Sequence, residues 1–230
     1  MGRKTYGQFC GLAHALDVVG ERWTLLIVRE LSSGPKRYTD LVDSLPGIGT
    51  SLLATRVRQL EADGVVQRRL ALDQPGSAVV YELSDSGREL ALAMLPLANW
   101  GTRHQMGDAD ITAEAFRAEW LVTYLAADLR GTVPTDLAAT YEFHIADSVA
   151  CLHLRGGRVT VTPGACETDA DVTLRADAPT VMAMLGDKIS ISEAIADKRL
   201  EVSGDRAASS ALQRLLERRM EAGASLAAAE

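Results

Sequence analysis

Between Thr50 and Asp63, Ser51, Thr55 and Arg58 recur at intervals of four and three residues. At about 100° per residue, a helix there turns these side chains away from Leu53, Val57 and Leu60, so one face can be buried and the other offered to a partner. Short hydroxyls let a helix approach base edges closely, and a guanidinium can bridge guanine O6 and N7 or a phosphate. Thr50 starts this stretch, Ala54 and Gln59 flank its polar face, and Arg56 lies nearer the apolar edge. Lys36 and Arg37 before it, and Arg68 and Arg69 after it, stand where a loop and a hairpin would flank a groove and neutralise phosphates, with Tyr38 a further candidate for DNA contact. The competing reading is a solvated helix face with ordinary surface arginines.

Other reactive side chains are sparse. His144, Cys151 and His153 fall on adjacent expected strands, with Cys151 and His153 on one face, but they lack the further ligands a metal needs. Asp169 and Asp171 read as solvated turn residues. The chain contains no G-x-S-x-G, H-E-x-x-H or phosphate-cradling glycine loop. No catalytic residue, metal or cofactor is expected, and the chain reads as a non-enzyme.

The elements that must position the polar helix follow from periodicity. Helices are expected over Gly11–Val19 and Thr24–Leu31, followed by a break at Ser33-Gly34-Pro35. A helix of about two turns carries Tyr38, Leu41, Val42 and Leu45 and ends at Pro46-Gly47. The helix Thr50–Asp63 comes next, stopped by Gly64, giving a helix-turn-helix outline. Val65–Leu70 and Ala78–Leu83 read as strands joined by a turn at Asp73–Ser77, and a long helix begins near Ser84. A hairpin directly after the second helix of such a pair is the wing of a winged helix.

The residues carrying that order resemble a known family. Cys10, the run Ala15 to Ile27 including Gly20-Glu21-Arg22-Trp23-Thr24, Gly34-Pro35-Lys36-Arg37-Tyr38, Leu45-Pro46-Gly47-Ile48, Leu60 to Val66 and Tyr81 to Gly87 are similar to HxlR-type, MarR-like winged-helix transcriptional regulators. The similarity spans about residues 7 to 105. It implies a homodimer packed through the first and last helices of the module, with the second helix of the pair in the major groove of double-stranded DNA at a palindromic operator. It also implies a role for Cys10, a cysteine near the first helix that some relatives use to sense oxidants or electrophiles; reactivity needs exposure and a depressed thiol pKa, and the alternative is a small buried apolar residue.

The second half changes pattern. Met106 to Asp110 reads as a linker, and a capping signal at Thr112 with Glu114 introduces a helix carrying Phe116, Trp120, Leu121, Tyr124 and Leu125. Strands are expected at Thr140–Ile145, Val149–Leu154, Arg158–Thr162 and Asp171–Arg175, with a hairpin turn at Arg155-Gly156-Gly157. Helices at Ala178–Leu185 and Ile191–Asp197, a strand Arg199–Gly204 and a helix Arg206–Arg219 complete the pattern, with 221–230 as a frayed or disordered tail. The order of these elements, over about 112 to 219, is similar to sterol-carrier-protein-2-like domains. That resemblance implies a sheet covered by helices over an apolar tunnel, or a domain that only dimerises. Met182, Met184, Leu185, Ile189, Leu212 and Leu215 could line such a tunnel, or could simply be core.

Composition bounds these readings. The 230 residues are 47% hydrophobic and 24% charged, enough for packed cores, and the length suits two modest domains, 1–107 and 108–230. Residues 1 to 106 hold 12 Lys+Arg against 11 Asp+Glu, whereas 107 to 230 hold 12 against 20, so the net charge of −7 is concentrated in the second half. The first half stays eligible for phosphate contact, which depends on the local patch. No membrane-spanning run or signal segment is visible, and the three cysteines are too scattered for a disulfide framework, so a reducing cytoplasm is expected. The fold class is α+β: a winged helix followed by a sterol-carrier-protein-2-like sheet with covering helices. The function expected is a DNA-binding regulator controlled by a hydrophobic small molecule. The alternatives are a regulator sensing through Cys10 with a merely dimerising second domain, or a lipid-binding carrier.

Overall fold

A computed structural model describes residues 5–71, 78–106, 114–185 and 188–227, with backbone only at Ala78, Asp128, Leu185 and beyond Leu216. The turn at Asp73–Ser77, linker residues 107–110 and Thr112 lie outside the described residues. The chain divides into two compact units, up to Leu97 and from Ala98 onward.

The first unit contains α1 (Gly11–Val19), α2 (Thr24–Ser32), β1 (Lys36–Arg37), α3 (Tyr38–Ser44), α4 (Thr50–Ala62), β2 (Val66–Ala71), β3 (Ala78–Leu83) and the start of α5 (Asp85–Gln105). Its core joins Ile27, Val28 and Leu31 of α2, Leu41 and Leu45, Leu53, Val57 and Leu60 of α4, and Val66 and Leu83 of the hairpin. The expected i, i+4 and i+7 stripe of α4 is therefore the buried one, and it fixes the rotation of that helix. β1 is a two-residue strand with no periodicity to reveal it; it pairs antiparallel with β3, Lys36 opposite Tyr81 and Arg37 opposite Val80. The sheet order is β1-β3-β2.

The second unit holds α6 (Ala118–Leu129), β4 (Ala138–Ile145), β5 (Ser148–Arg155), β6 (Arg158–Pro163), β7 (Val172–Ala176), α7 (Ala178–Leu185), α8 (Ile191–Ala196), β8 (Leu200–Gly204) and α9 (Arg206–Ala227). The sheet order is β6-β5-β4-β7-β8, with β4 and β7 parallel and the other neighbours antiparallel. Gly156 and Gly157 both have positive φ, 59° and 75°, as a two-residue hairpin turn of type I′ demands. One sheet face, with Tyr141, Phe143, Leu152, Leu154 and Val161, packs under Val122, Ala126 and Leu129 of α6 and Ala208, Leu212 and Leu215 of α9. The Tyr141 hydroxyl donates to the Ala208 carbonyl at 3.0 Å, and burial, followed by the charges of Asp171 and Asp205, pushes its pKa up to about 12.

Two sequence expectations are corrected here. The first helix of this unit does not start near Thr112: residues 114–117 are non-helical, and α6 begins at Ala118, whose N–H donates to Ser148 Oγ at 2.8 Å. Phe116 packs on the core from the approach segment rather than from a helix face. The last helix, expected to end at Arg219, continues to Ala227. Asp171 is exposed in a bend before β7, as read, and it also accepts hydrogen bonds from Thr140 N–H and O–H at 2.7 and 2.9 Å, joining two strand ends.

Candidate nucleic-acid interface and ligand site

With Leu53, Val57 and Leu60 buried, α4 turns Thr50, Ser51 and Arg58 to solvent and leaves Thr55 half-buried beside them. Thr55 Oγ1 donates to the Ser51 carbonyl at 2.9 Å and Arg58 Nε to the Ala54 carbonyl at 3.1 Å, so both side chains fold back along their own helix. These bonds are local and exchangeable for a base edge or phosphate, because breaking them moves no other element. The Tyr38 hydroxyl donates to the Thr50 carbonyl at 2.6 Å, tying the start of α3 to the start of α4. Tyr38 therefore sets the angle between the two helices of the pair.

The remaining cations are distributed less simply than spacing suggests. Arg56 is only 15% exposed; it pairs with Glu21 at 2.7 Å and with Gln59 Oε1 at 2.7 Å, bracing α4 against the α1–α2 connection. Lys36 is 8% exposed within β1, and the Arg37 N–H donates to Asp40 Oδ2 at 2.8 Å, starting α3. On the wing, Arg68 meets Glu61 at 3.1 Å and Arg69 meets Glu82 at 2.9 Å, both arginines remaining well exposed. Burial works to raise the Glu82 pKa, but hydrogen bonds from Arg69 and Gln67 outweigh it and hold the carboxyl below its usual range. The structure thus brings Thr50, Ser51, Thr55 and Arg58 onto one helix face and leaves Arg68 and Arg69 on the wing. Tyr38 is bonded to the start of α4, Arg56 is held by Glu21 and Lys36 is buried. Glu21, which holds Arg56, carries no local signal in the sequence, since it lies 35 residues away.

Cys10 is the N-cap residue of α1 and is exposed in the single chain. The backbone N–H groups of Ala13 and then Leu12 point at its sulfur and lower its pKa. Nearby Tyr6, Phe9, Leu12 and Leu16 are also exposed, as are Leu92, Leu97 and Trp100 of α5.

In the second unit Leu212 and Leu215 lie fully within the core, and Met184 packs against it. Met182 and Ile189 are half-buried, and the Leu185 side chain is outside the described residues. Val202 of β8 and Ile195 of α8, on two elements in contact, are 37% and 44% exposed. The cysteine reading is corrected: Cys151 is disulfide-bonded to Cys166, with Cα atoms 5.2 Å apart. Cys151 is thereby spent as a metal ligand, while His144 meets Glu142 at 2.6 Å and His153 meets Thr162 at 3.3 Å. The pairing escaped sequence reading because Cys166 belongs to no strand and the β6–β7 loop must return across the sheet to reach Cys151. Among the described residues, no group of three or more His, Cys, Asp or Glu is placed to hold a metal ion, and no helix is long and apolar enough to cross a membrane.

Comparisons with known proteins follow the same division. Residues 18–109 match the HxlR-like helix-turn-helix family, and residues 131–217 match the SCP-2 sterol transfer family. An uncharacterised helix-turn-helix transcriptional regulator of Synechocystis is 34% identical over 96 residues, 42% of this chain and 70% of that protein. Another, YtcD of Bacillus subtilis, is 38% identical over 89 residues, 39% of this chain and 70% of its own length. Among solved structures, the reduced form of the transcriptional regulator YodB from B. subtilis is similar with a TM-score of 0.39 at 27% identity, covering 45% of this chain and 100% of that one.

Proposed function

Because the chain belongs to the HxlR-like helix-turn-helix family and carries a C-terminal domain like those of the SCP-2 sterol transfer family, we propose that it is a homodimeric DNA-binding transcriptional regulator responding to a hydrophobic small molecule. The observation that carries this reading is the division of α4 into a buried Leu53, Val57, Leu60 stripe and a polar face of Ser51, Thr55 and Arg58. Such a helix can enter a major groove, with Arg68 and Arg69 of the wing meeting the flanking phosphates. The exposed apolar side chains of the N-terminal arm, α1 and α5 support a second copy of the chain as their cover. A two-fold dimer reads a palindromic site. The ligand reading is supported by the half-buried Met182, Met184 and Ile189 and by exposed Ile195 and Val202. A ligand favouring one dimer arrangement would change the spacing of the two α4 helices and hence operator affinity.

Selection of duplexes from random DNA by the full chain tests this. A two-fold symmetric motif with half-sites about 10 bp apart, bound in a strongly salt-dependent way, is the expected outcome. No enriched motif and no salt dependence would overturn the reading.

A second reading places the signal at Cys10, favoured by its exposure and lowered thiol pKa. A lowered pKa means more thiolate at neutral pH, so iodoacetamide should modify Cys10 faster than a free cysteine and alter DNA affinity. Modification with unchanged affinity would sink this route.

A further inference from the structure

On the face of the second sheet opposite its core, β4 and β5 set Glu142 beside Cys151, and the loop after β6 returns across that face to bring in Cys166. Hydrogen bonds hold the same segment along its length. The Gly164 N–H donates to the Val149 carbonyl at 2.9 Å, the Cys166 N–H to Glu142 Oε2 at 2.8 Å, and Asp171 ties the far end to Thr140. The other Glu142 oxygen meets His144 Nε2 at 2.6 Å. The disulfide is the covalent tie among these contacts, and its two ends differ in access. Cys151 is fully buried, whereas Cys166 is half-buried between exposed residues 164–165 and 167–169.

We propose that Cys151 and Cys166 form a redox-modification site, a reversible dithiol/disulfide that fastens or releases residues 164–171 on the outer face of the second sheet. One premise rests on the DNA-binding reading: a chain that meets chromosomal DNA works among cellular thiols, where disulfides are rare and mostly catalytic or redox-sensing. Reduction starts at the accessible sulfur. A low-molecular-weight thiolate attacks Cys166 Sγ, forming a mixed disulfide and releasing Cys151 as thiolate; a second thiolate attacks the reagent sulfur, freeing Cys166 and giving the oxidised reagent. The two protons of the reagent thiols end on the two cysteines. In the other direction a hydroperoxide oxidises the Cys166 thiolate to sulfenic acid and is reduced to an alcohol; Cys151 then displaces water to close the bond.

The site is separate from Cys10, so the Cys10→Ser full chain isolates it. That protein is equilibrated with mixtures of reduced and oxidised glutathione, alkylated under native and then denaturing conditions, and weighed by mass spectrometry. The expected result is joint gain of two alkyl groups as the reduced fraction rises, reversal by hydroperoxide, and cleavage within 164–171 at least about fivefold faster in the reduced form. Cys166→Ser, which spares the buried sulfur, should show the fast cleavage whatever the redox state. A bond that resists a large excess of reduced glutathione until the protein unfolds would make it a fixed crosslink and overturn the proposal. Two thiols that hydroperoxide leaves unpaired, or equal cleavage of both forms, would overturn it as well. DNA binding is scored separately on the same samples: its absence would count against the regulator reading and leave the thiol count intact.

Discussion

In the N-terminal unit α4 separates its two tasks by angle: Leu53, Val57 and Leu60 make the core, and Ser51, Thr55 and Arg58 face outward. In the C-terminal unit α9 allows no such separation, because Leu212 and Leu215, the side chains best suited to an apolar ligand, are also the ones packed on Tyr141 and its neighbours. A site for a polar, charged partner uses residue types that a core rejects, so burial and function leave different marks. A site for an apolar ligand uses the types the core itself is made of. The half-exposed Ile195 and Val202 are informative for that reason: they are apolar and the core has not absorbed them.

The contrast can be broken most forcefully at Leu212. As a core residue it should cost about 2–5 kcal/mol of stability when changed to Ala, measured by chemical denaturation of the full chain. A cost below about 1 kcal/mol would move Leu212 to the wall of a cavity and bring the two units closer in kind. In the first unit, Gly87 at the start of α5 has no room for a side chain: an added Cβ would run into the Val65 carbonyl oxygen and lie 3.2 Å from Leu83 side-chain atoms. Gly87→Ala should cost roughly 1–3 kcal/mol by overpacking, and an unchanged melting temperature would show that α5 is free to shift away from the hairpin.

Two arginines one helical half-turn apart sharpen the comparison within α4 itself. Arg58→Ala should weaken specific DNA binding by about 1–3 kcal/mol if Arg58 reads a base, and equally on all sequences if it holds a phosphate. Arg56→Ala should act instead on folding, by at most about 1 kcal/mol, because its partner Glu21 is largely solvated. Anisotropy titrations beside melting curves distinguish the two, and a DNA-specific loss at Arg56 would return it to the interface.

The smallest effect concerns acid. The Cys166 N–H and then the His144 hydrogen bond hold the Glu142 carboxyl below its ordinary value of 4.5. A depressed folded-state pKa contributes stability that is present above 4.5 and lost as pH falls through the folded value. Glu142→Gln should therefore lower stability slightly at neutral pH and flatten the acid limb below 4.5, the two proteins converging as pH falls. An identical acid limb in both proteins would remove Glu142 from the set of contacts holding the 164–171 segment.

Much of the architecture was legible because it is written in local periodicity. The stripe of α4, the β2–β3 hairpin, the alternation of β4 to β6 and the Gly156-Gly157 turn each need only a few neighbouring residues to be recognised. β1 was not, since two residues have no period and Lys36 and Arg37 become a strand only by pairing with Val80 and Tyr81. The start of α6 was misread for a related reason: Phe116 has helical spacing from Trp120, but the helix begins only where Ser148, far along the chain, supplies a cap.

From sequence alone came the residue types of the polar face, the order of elements, the family resemblance of each half and the segregation of charge. Tertiary structure decided the partners. It placed Arg56 on Glu21, set Tyr38 against Thr50, exposed Cys10 and joined Cys151 to Cys166. The reason is one of range. Helical and strand periods act over a few residues and can be read in order along the chain. Ion pairs, cross-helix hydrogen bonds and disulfides depend on which distant segments the packed cores bring within about 3 to 6 Å, a distance that spacing in the sequence does not encode.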